Sequence, residues 1–148
     1  MTAVRSQIVA AAREWIGTPY VHQASLLGVG CDCLGLVRGV FRQLFGAEPE
    51  DVPPYSPDWS EASGDERLWR AARRHLLEVE RGCVRPGDMI LMRMREGMVA
   101  KHVGIAAEGV AGPTLIHAYS RRGVVESPMT QSWSRLTVAA FAFPGSND

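Results

Sequence analysis

Gly30-Cys31-Asp32-Cys33-Leu34-Gly35-Leu36-Val37 is the stretch where the chain changes character. A polar, glycine-punctuated loop runs into an apolar segment, and a cysteine stands at the junction. Leu34, Leu36, Val37, Val40, Phe41, Leu44 and Phe45 cover most of a helix surface. The spacing predicts a buried helix, with Gly46 as its C-terminal stop. A helix start has unsatisfied N–H donors and the positive end of the backbone dipole, both of which favour thiolate over thiol. The same donors can hold an oxyanion forming on an attacked carbonyl. Asp32 fits a helix cap or a contact to a substrate cation, and Gly35 lets another segment approach the helix closely. Cys33 is equally compatible with a small buried residue, which is what most cysteines are. Cys31 precedes the helix and reads as loop packing.

Upstream, Val4, Ile8, Ala11, Ala12 and Trp15 recur at helical spacing, predicting an amphipathic helix over Thr2–Ile16 that Gly17-Thr18-Pro19 stops. The irregular stretch from Tyr20 to Asp32 is long enough to suspect a site. Downstream, Ala47 to Ser60 is rich in prolines and acids around Tyr55 and reads as a surface loop. A third helix is expected over Ser63–Val79, with Leu68, Ala72, Leu76 and Val79 on one stripe and Arg70, Arg73 and Arg74 on a solvated face. After Arg85-Pro86-Gly87-Asp88 the period changes. Met89–Met94, Val99–Ala107, Thr114–Tyr119, Gly123–Glu126 and Leu136–Phe143 read as strands. Helices first and an antiparallel sheet second is an α+β arrangement. No internal repeat marks a second domain, so 1–148 is expected to be one domain.

A thiolate nucleophile needs a base, and the chain has 4 histidines. His75 belongs to the Arg-rich helix. His22 follows Tyr20 in the loop and is a candidate for touching substrate. His102 and His117 lie inside predicted strands. Alternation in Val99-Ala100-Lys101-His102-Val103-Gly104-Ile105 makes His102 the one bulky group on a face of small residues, leaving room for a helix there. The short link from Ala107 to Pro113 predicts a hairpin. Pairing residue 102 with residue 117 would centre its turn between Gly109 and Val110 and set the two histidines opposite each other, one orienting the other. Each histidine alone also fits an ordinary satisfied sheet residue. A zinc site from Cys31, Cys33, His102 and His117 is a rival use of the same atoms, although Cys-x-Cys is tighter than the usual ligand gap.

The 148 residues carry 16 basic and 16 acidic side chains, with 46% hydrophobic and 22% charged residues, as expected of a globular chain. The balanced charge argues against a protein that grips nucleic-acid phosphates or anionic lipid. The 3 cysteines are odd in number and too few for a disulfide scaffold. No apolar run approaches the roughly 20 residues of a membrane helix. The amphipathic start does not read as a secretory signal, so synthesis in a reducing cytoplasm is expected, with any action outside the cell needing another means of delivery.

Asp32-Cys33-x-Gly35-Leu36-Val37, Arg85-Pro86-Gly87-Asp88, His102-Val103-Gly104-Ile105 and Ile116-His117-Ala118, with the upstream Trp15-Ile16-Gly17-Thr18-Pro19-Tyr20, resemble in order the motifs of the NlpC/p60 cysteine peptidases. The resemblance spans about residues 8 to 142. It implies a papain-like core, in which a helix bearing the nucleophile packs on an antiparallel sheet of about five strands bearing the histidines. It also implies cleavage of peptidoglycan stem peptides, commonly between D-γ-glutamate and diaminopimelate, with no metal or other cofactor. By motif position Cys33 is the nucleophile, His102 the base and His117 the orienting residue. Tyr20 would supply a hydroxyl near the oxyanion and Asp32 would help bind the peptide's free amine. Leu34 stands where the family usually has a serine lining the substrate pocket, and Gln23-Ala24-Ser25 replaces a glycine pair. Residues 47–82 would be a loop–helix insertion, a candidate docking surface. The compact Tyr20-to-Ser25 stretch is most similar to versions from phage tail modules and gene transfer agents. That similarity implies phage-like tail or baseplate hub proteins as partners and a place in a tail particle acting on the cell wall, while the balanced charge and short apolar runs argue against direct nucleic-acid contact and membrane insertion. A structural hub protein with a vestigial peptidase site is the alternative, and an amidase or acyl transferase would use the same thiol chemistry.

Overall fold

A computed structural model describes residues 4–52 and 64–146. The expectations that fall on 2–3, on 53–60 of the proline-rich loop and on the start of the third helix at Ser63 lie outside the described residues. Helix α1 covers Arg5–Glu14 and buries Ile8, Val9, Ala11 and Ala12. It is followed by a ribbon of two short strands, β1 (Ser25–Leu26) and β2 (Gly30–Cys31). Helix α2 then runs Cys33–Phe45 with Asp32 as its N-cap and left-handed Gly46 as its C-cap, as the sequence predicts. It is not apolar all round. Arg38 and Arg42 lie along its outer side, where both bond Glu48.

Helix α3 occupies only Arg67–His75. Leu76 is already extended, and Leu77–Val79 forms strand β3, so the expected helix to Val79 is too long by four residues. The stripe is satisfied early, since Leu68 and Ala72 already reach the main core. Beyond them the backbone gains more by pairing with the last strand, whose free edge would otherwise leave its donors and acceptors open. The described part of 47–82 is therefore woven into the core and the sheet.

The remaining elements are a single 3-10 turn (Arg81–Cys83), β4 (Met89–Met92), β5 (His102–Gly109), β6 (Gly112–Tyr119), β7 (Gly123–Pro128), a short helix α4 (Gln131–Leu136) and β8 (Thr137–Ala142). The sheet has six strands in the order β3-β8-β4-β5-β6-β7, all antiparallel. The five expected strands are present, and β3 is the sixth. Helix α4 had no counterpart in the sequence reading. It begins where the Thr130 hydroxyl accepts the Trp133 N–H.

One face of the sheet, with Met89, Leu91, Val103, Ile105, Ile116, Ala118 and Phe141, packs against α1 and α2 in a single apolar cluster. The opposite face carries a smaller cluster of Ile90, Met92, Ala106 and Leu115, covered by Trp133, Leu136, Val84 and Met129. The helices therefore lie on the branched-residue side of β5, not on the small-residue side. Burying a valine or isoleucine is worth roughly 1.5–3 kcal/mol, which the glycine and alanines of the other side cannot match. The Arg85–Asp88 turn locks α1 onto this sheet. Asp88 is fully buried, accepts the Arg5 guanidinium at 2.6 Å and takes the Arg85 N–H at 2.8 Å.

The β5–β6 hairpin pairs Ile105 with Ile116 and Gly109 with Gly112. That register is shifted by two residues from the one that sets 102 opposite 117, and its turn lies at Val110–Ala111. A shift of two preserves the faces, so the histidines stay on one side of the sheet. They become diagonal neighbours, with Gly104 across from His117. A Cβ built on Gly104 would come within 3.0 Å of the His117 Cβ and 2.6 Å of Leu115 Cδ1. Glycine there leaves the space the imidazole needs.

Candidate active site

Asp32 fixes the start of α2 with both carboxylate oxygens. Oδ1 accepts the Gly35 N–H at 2.7 Å and Oδ2 accepts the Gln23 N–H at 2.8 Å. One carboxylate thus ties the Tyr20–Asp32 loop to the helix. His22 belongs to the same cluster, its Nδ1 lying 3.8 Å from Oδ2. Asp32 is 3% exposed, so the structure gives it a capping duty, and a substrate amine would have to share its oxygens. Gly35 is required by close approach. A Cβ at this position would sit 1.9 Å from the Ala24 carbonyl oxygen.

Cys33 is the first residue of α2. Its Sγ lies 3.5 Å from the Lys101 carbonyl oxygen, and the Val103 N–H bonds to it. Those two groups belong to the peptide units that meet at His102, so the sulfur rests against the backbone of His102. Burial pushes the Cys33 thiol up to about 12, and the Asp32 charge pushes the same way. The N–H groups of Val103 and Leu34 pull it down without winning. The helix start alone predicts a thiolate; desolvation overrides it, and the resting group is a thiol.

Nε2 of His102 lies 2.8 Å from Nδ1 of His117, and Nε2 of His117 lies 3.2 Å from the Ser127 hydroxyl. Burial lowers His102 to about 3, with the neighbouring His117 adding to the effect, and burial lowers His117 to about 4. Both imidazoles are neutral at rest. Aromatic walls enclose them. Trp133 stacks on His102 with centroids 6.0 Å apart and meets His117 edge-on at 4.9 Å, and Tyr119 stands 5.6 Å from His117.

Tyr20 is joined to Cys31 by a parallel bridge. Burial raises its hydroxyl to about 12, with the charges of Cys33, Asp32 and Cys31 reinforcing the shift. It therefore keeps its proton at neutral pH and can donate. Cys31 is fully buried, in keeping with loop packing, and Cys83 is exposed; all three cysteines are free. Leu34 lines an apolar groove between α2 and α3, with Val37, Phe41, Pro49, Leu68 and Ala72. Among the described residues no three His, Cys, Asp or Glu side chains converge so as to hold a metal ion, and Cys31, Cys33, His102 and His117 form no such cage. No helix among them is long and apolar enough to cross a membrane.

The structure therefore brings together Cys33, Tyr20, Asp32 and His22 around the start of α2, and His102 and His117 at the open end of β5 and β6. Sequence reasoning missed Ser127, Tyr119 and Trp133. Ser127 was hidden because the strand was expected to end at Glu126, one residue short. The strand parity carries the signal, since Ser127 lies two residues beyond Val125, the cross-strand partner of His117. Trp133 sits on the short helix that no periodicity announced.

The NlpC/P60 family model matches residues 17–141. The murein DD-endopeptidase MepS/murein LD-carboxypeptidase of Escherichia coli K12 is 29% identical over 130 residues, covering 88% of this chain and 57% of that protein. The chain thus spans little more than half the length of that relative. Among solved structures, the NlpC/p60 domain of the peptidoglycan hydrolase SagA superposes with a TM-score of 0.62 at 23% identity, covering 95% of this chain and all of that one. An NlpC/P60 family protein from Bacillus cereus superposes with a TM-score of 0.66 at 19% identity, covering 97% of this chain and 41% of the other. At these identities the likeness is one of fold.

Proposed function

The chain belongs to the NlpC/P60 family, and on that premise we propose that it is a cysteine peptidase that hydrolyses stem-peptide amide bonds of peptidoglycan. The observation that carries the reading is the 2.8 Å contact between Nε2 of His102 and Nδ1 of His117, beside a sulfur seated on the His102 backbone at a helix start. In the proposed reaction Cys33 Sγ attacks the amide carbonyl while its proton passes to Nδ1 of His102. The N–H groups at the start of α2 and the Tyr20 hydroxyl stabilise the oxyanion. His102 gives the proton to the departing amine, leaving a thioester on Cys33. Water then attacks the thioester with His102 as base, releasing the acid and restoring the thiol. His117 orients His102, while Asp32 and His22 stand together beside the start of α2.

The bond we propose is D-γ-glutamyl–diaminopimelate. The curated relative is named for other murein peptide bonds, so product masses from defined muropeptides decide between them. We further propose a phage-like tail as carrier and its hub proteins as partners, a reading supported by the similarity of the Tyr20–Ser25 stretch. Its test is recovery of the chain in purified particles; a chain found only free contradicts it. The activity is tested by incubating muropeptides with wild type and Cys33→Ala. Cleavage by the first and none by the second is expected. Full cleavage by a folded Cys33→Ala contradicts the nucleophile.

A further inference from the structure

His102 can accept the Cys33 proton only in one of its two neutral tautomers. Its Nε2 is engaged by His117, so Nδ1 must carry the lone pair and Nε2 the hydrogen. The hydrogen bond then runs from Nε2–H of His102 to Nδ1 of His117. His117 must in turn carry its hydrogen on Nε2, which needs an acceptor. Ser127 supplies it at 3.2 Å from the neighbouring strand. The opposite arrangement is the damaging one, with Nδ1–H of His117 donating back to His102. It places a hydrogen on Nδ1 of His102, where the base needs its lone pair.

His117 is 1% exposed, so the direction of the relay is decided by protein groups and not by bulk water. Without an acceptor the Nε2–H of His117 would be buried and unpaired, a penalty that the opposite pair, which leaves only a bare Nε2 there, does not carry. Ser127 is half-buried, so its own hydroxyl hydrogen can turn to solvent while the oxygen accepts.

Resting on the peptidase reading above, we propose that Ser127 is a positioning residue whose hydroxyl oxygen accepts Nε2–H of His117 and so holds the His102–His117 pair in the base-competent tautomers. The relay is Cys33, His102, His117, Ser127, with the first two reacting and the last two setting where the hydrogens sit.

The test is nitrogen-15 NMR of the imidazoles combined with muropeptide kinetics. In wild type both histidines should show a protonated Nε2 and a bare Nδ1. Ser127→Ala should populate the Nδ1–H form of His102 and lower kcat by about 10- to 100-fold with KM little changed. Ser127→Thr keeps the hydroxyl and should restore both the tautomers and kcat. The proposal is overturned if wild type already carries the Nδ1–H form, or if Ser127→Ala leaves the tautomers as in wild type. The wild-type spectrum decides even where the alanine variant folds poorly. Failure of the peptidase reading is distinct: Cys33→Ala would keep its activity whatever the imidazole spectra show.

Discussion

The two faces of the one sheet make opposite use of the same alternation. On the helix side, Val103, Ile105, Ile116 and Phe141 share one apolar cluster with residues of α1 and α2. On the other side, the same strands present His102, His117 and Ser127 under Trp133, and the apolar cluster is small. Hydrophobic burial is non-directional, so the helix side can be assembled from many combinations of apolar residues. The histidine side depends on hydrogen positions and distances of a few tenths of an ångström. The difference teaches that stability and proposed chemistry are separated by the thickness of one strand and joined at the start of α2, where Cys33 meets the backbone of His102.

That separation can be broken by substitution. The largest effect is expected at His102→Ala, which should reduce muropeptide cleavage by about 10³-fold or more. Calorimetry of the same variant should show a stability loss under about 2 kcal/mol. Equal collapse of both quantities would erase the contrast between the faces. Phe141→Ala, on the helix side, should cost about 3–5 kcal/mol in denaturant unfolding. Its kcat per folded molecule should stay near wild type. Asp88→Ala removes the buried acceptor of both the Arg5 guanidinium and the Arg85 N–H and should cost about 3 kcal/mol. Again the folded fraction should keep its kcat, because the turn holds α1 and touches neither histidine.

A smaller effect is expected from pH. His102 and His117 hold protons less readily in the fold than in the unfolded chain, so acid favours unfolding. Their contribution is whole above the ordinary histidine value of 6.5 and is lost as pH falls through about 4 and towards about 3. Cys31 and Cys33, raised from 9.0 to about 12, give the reverse dependence on the alkaline side. The unfolding temperature should therefore be flat between 6.5 and 9.0 and fall outside that window. His117→Asn should flatten part of the acid limb, whereas Phe141→Ala should lower the curve without changing its shape.

Much of this was legible in the sequence because its signals are local. The Asp32 cap, the Gly46 stop and the two-residue alternation of β5 each depend on a few neighbouring residues, and each appears where the pattern puts it. The choice of face is not local. Alternation sorts His102 from Val103 but does not say which side the helices take, and the comparison of branched with small residues settles that. The hairpin register escaped for a related reason. Gly109 and Gly112 both fit a turn, and the close approach of Leu115 and His117 to Gly104 in the observed register is a cross-strand contact that local pattern does not display. Leu76 shows the same limit, since its stripe continues a helix while the open edge of β8 draws the chain into β3. The thiol of Cys33 is the clearest case at the site. Its place at a helix start was readable, but the burial that keeps it protonated exists only once the chain is packed.

The most direct test of the central claim is digestion of defined muropeptides with product masses, run side by side on wild type and a Cys33→Ala variant shown by circular dichroism to be folded. The account predicts amide cleavage within the stem peptide by wild type, with a mass gain of one water across the two products, and no cleavage by the variant. Equal cleavage by both, or intact stem peptides with wild type, would contradict it.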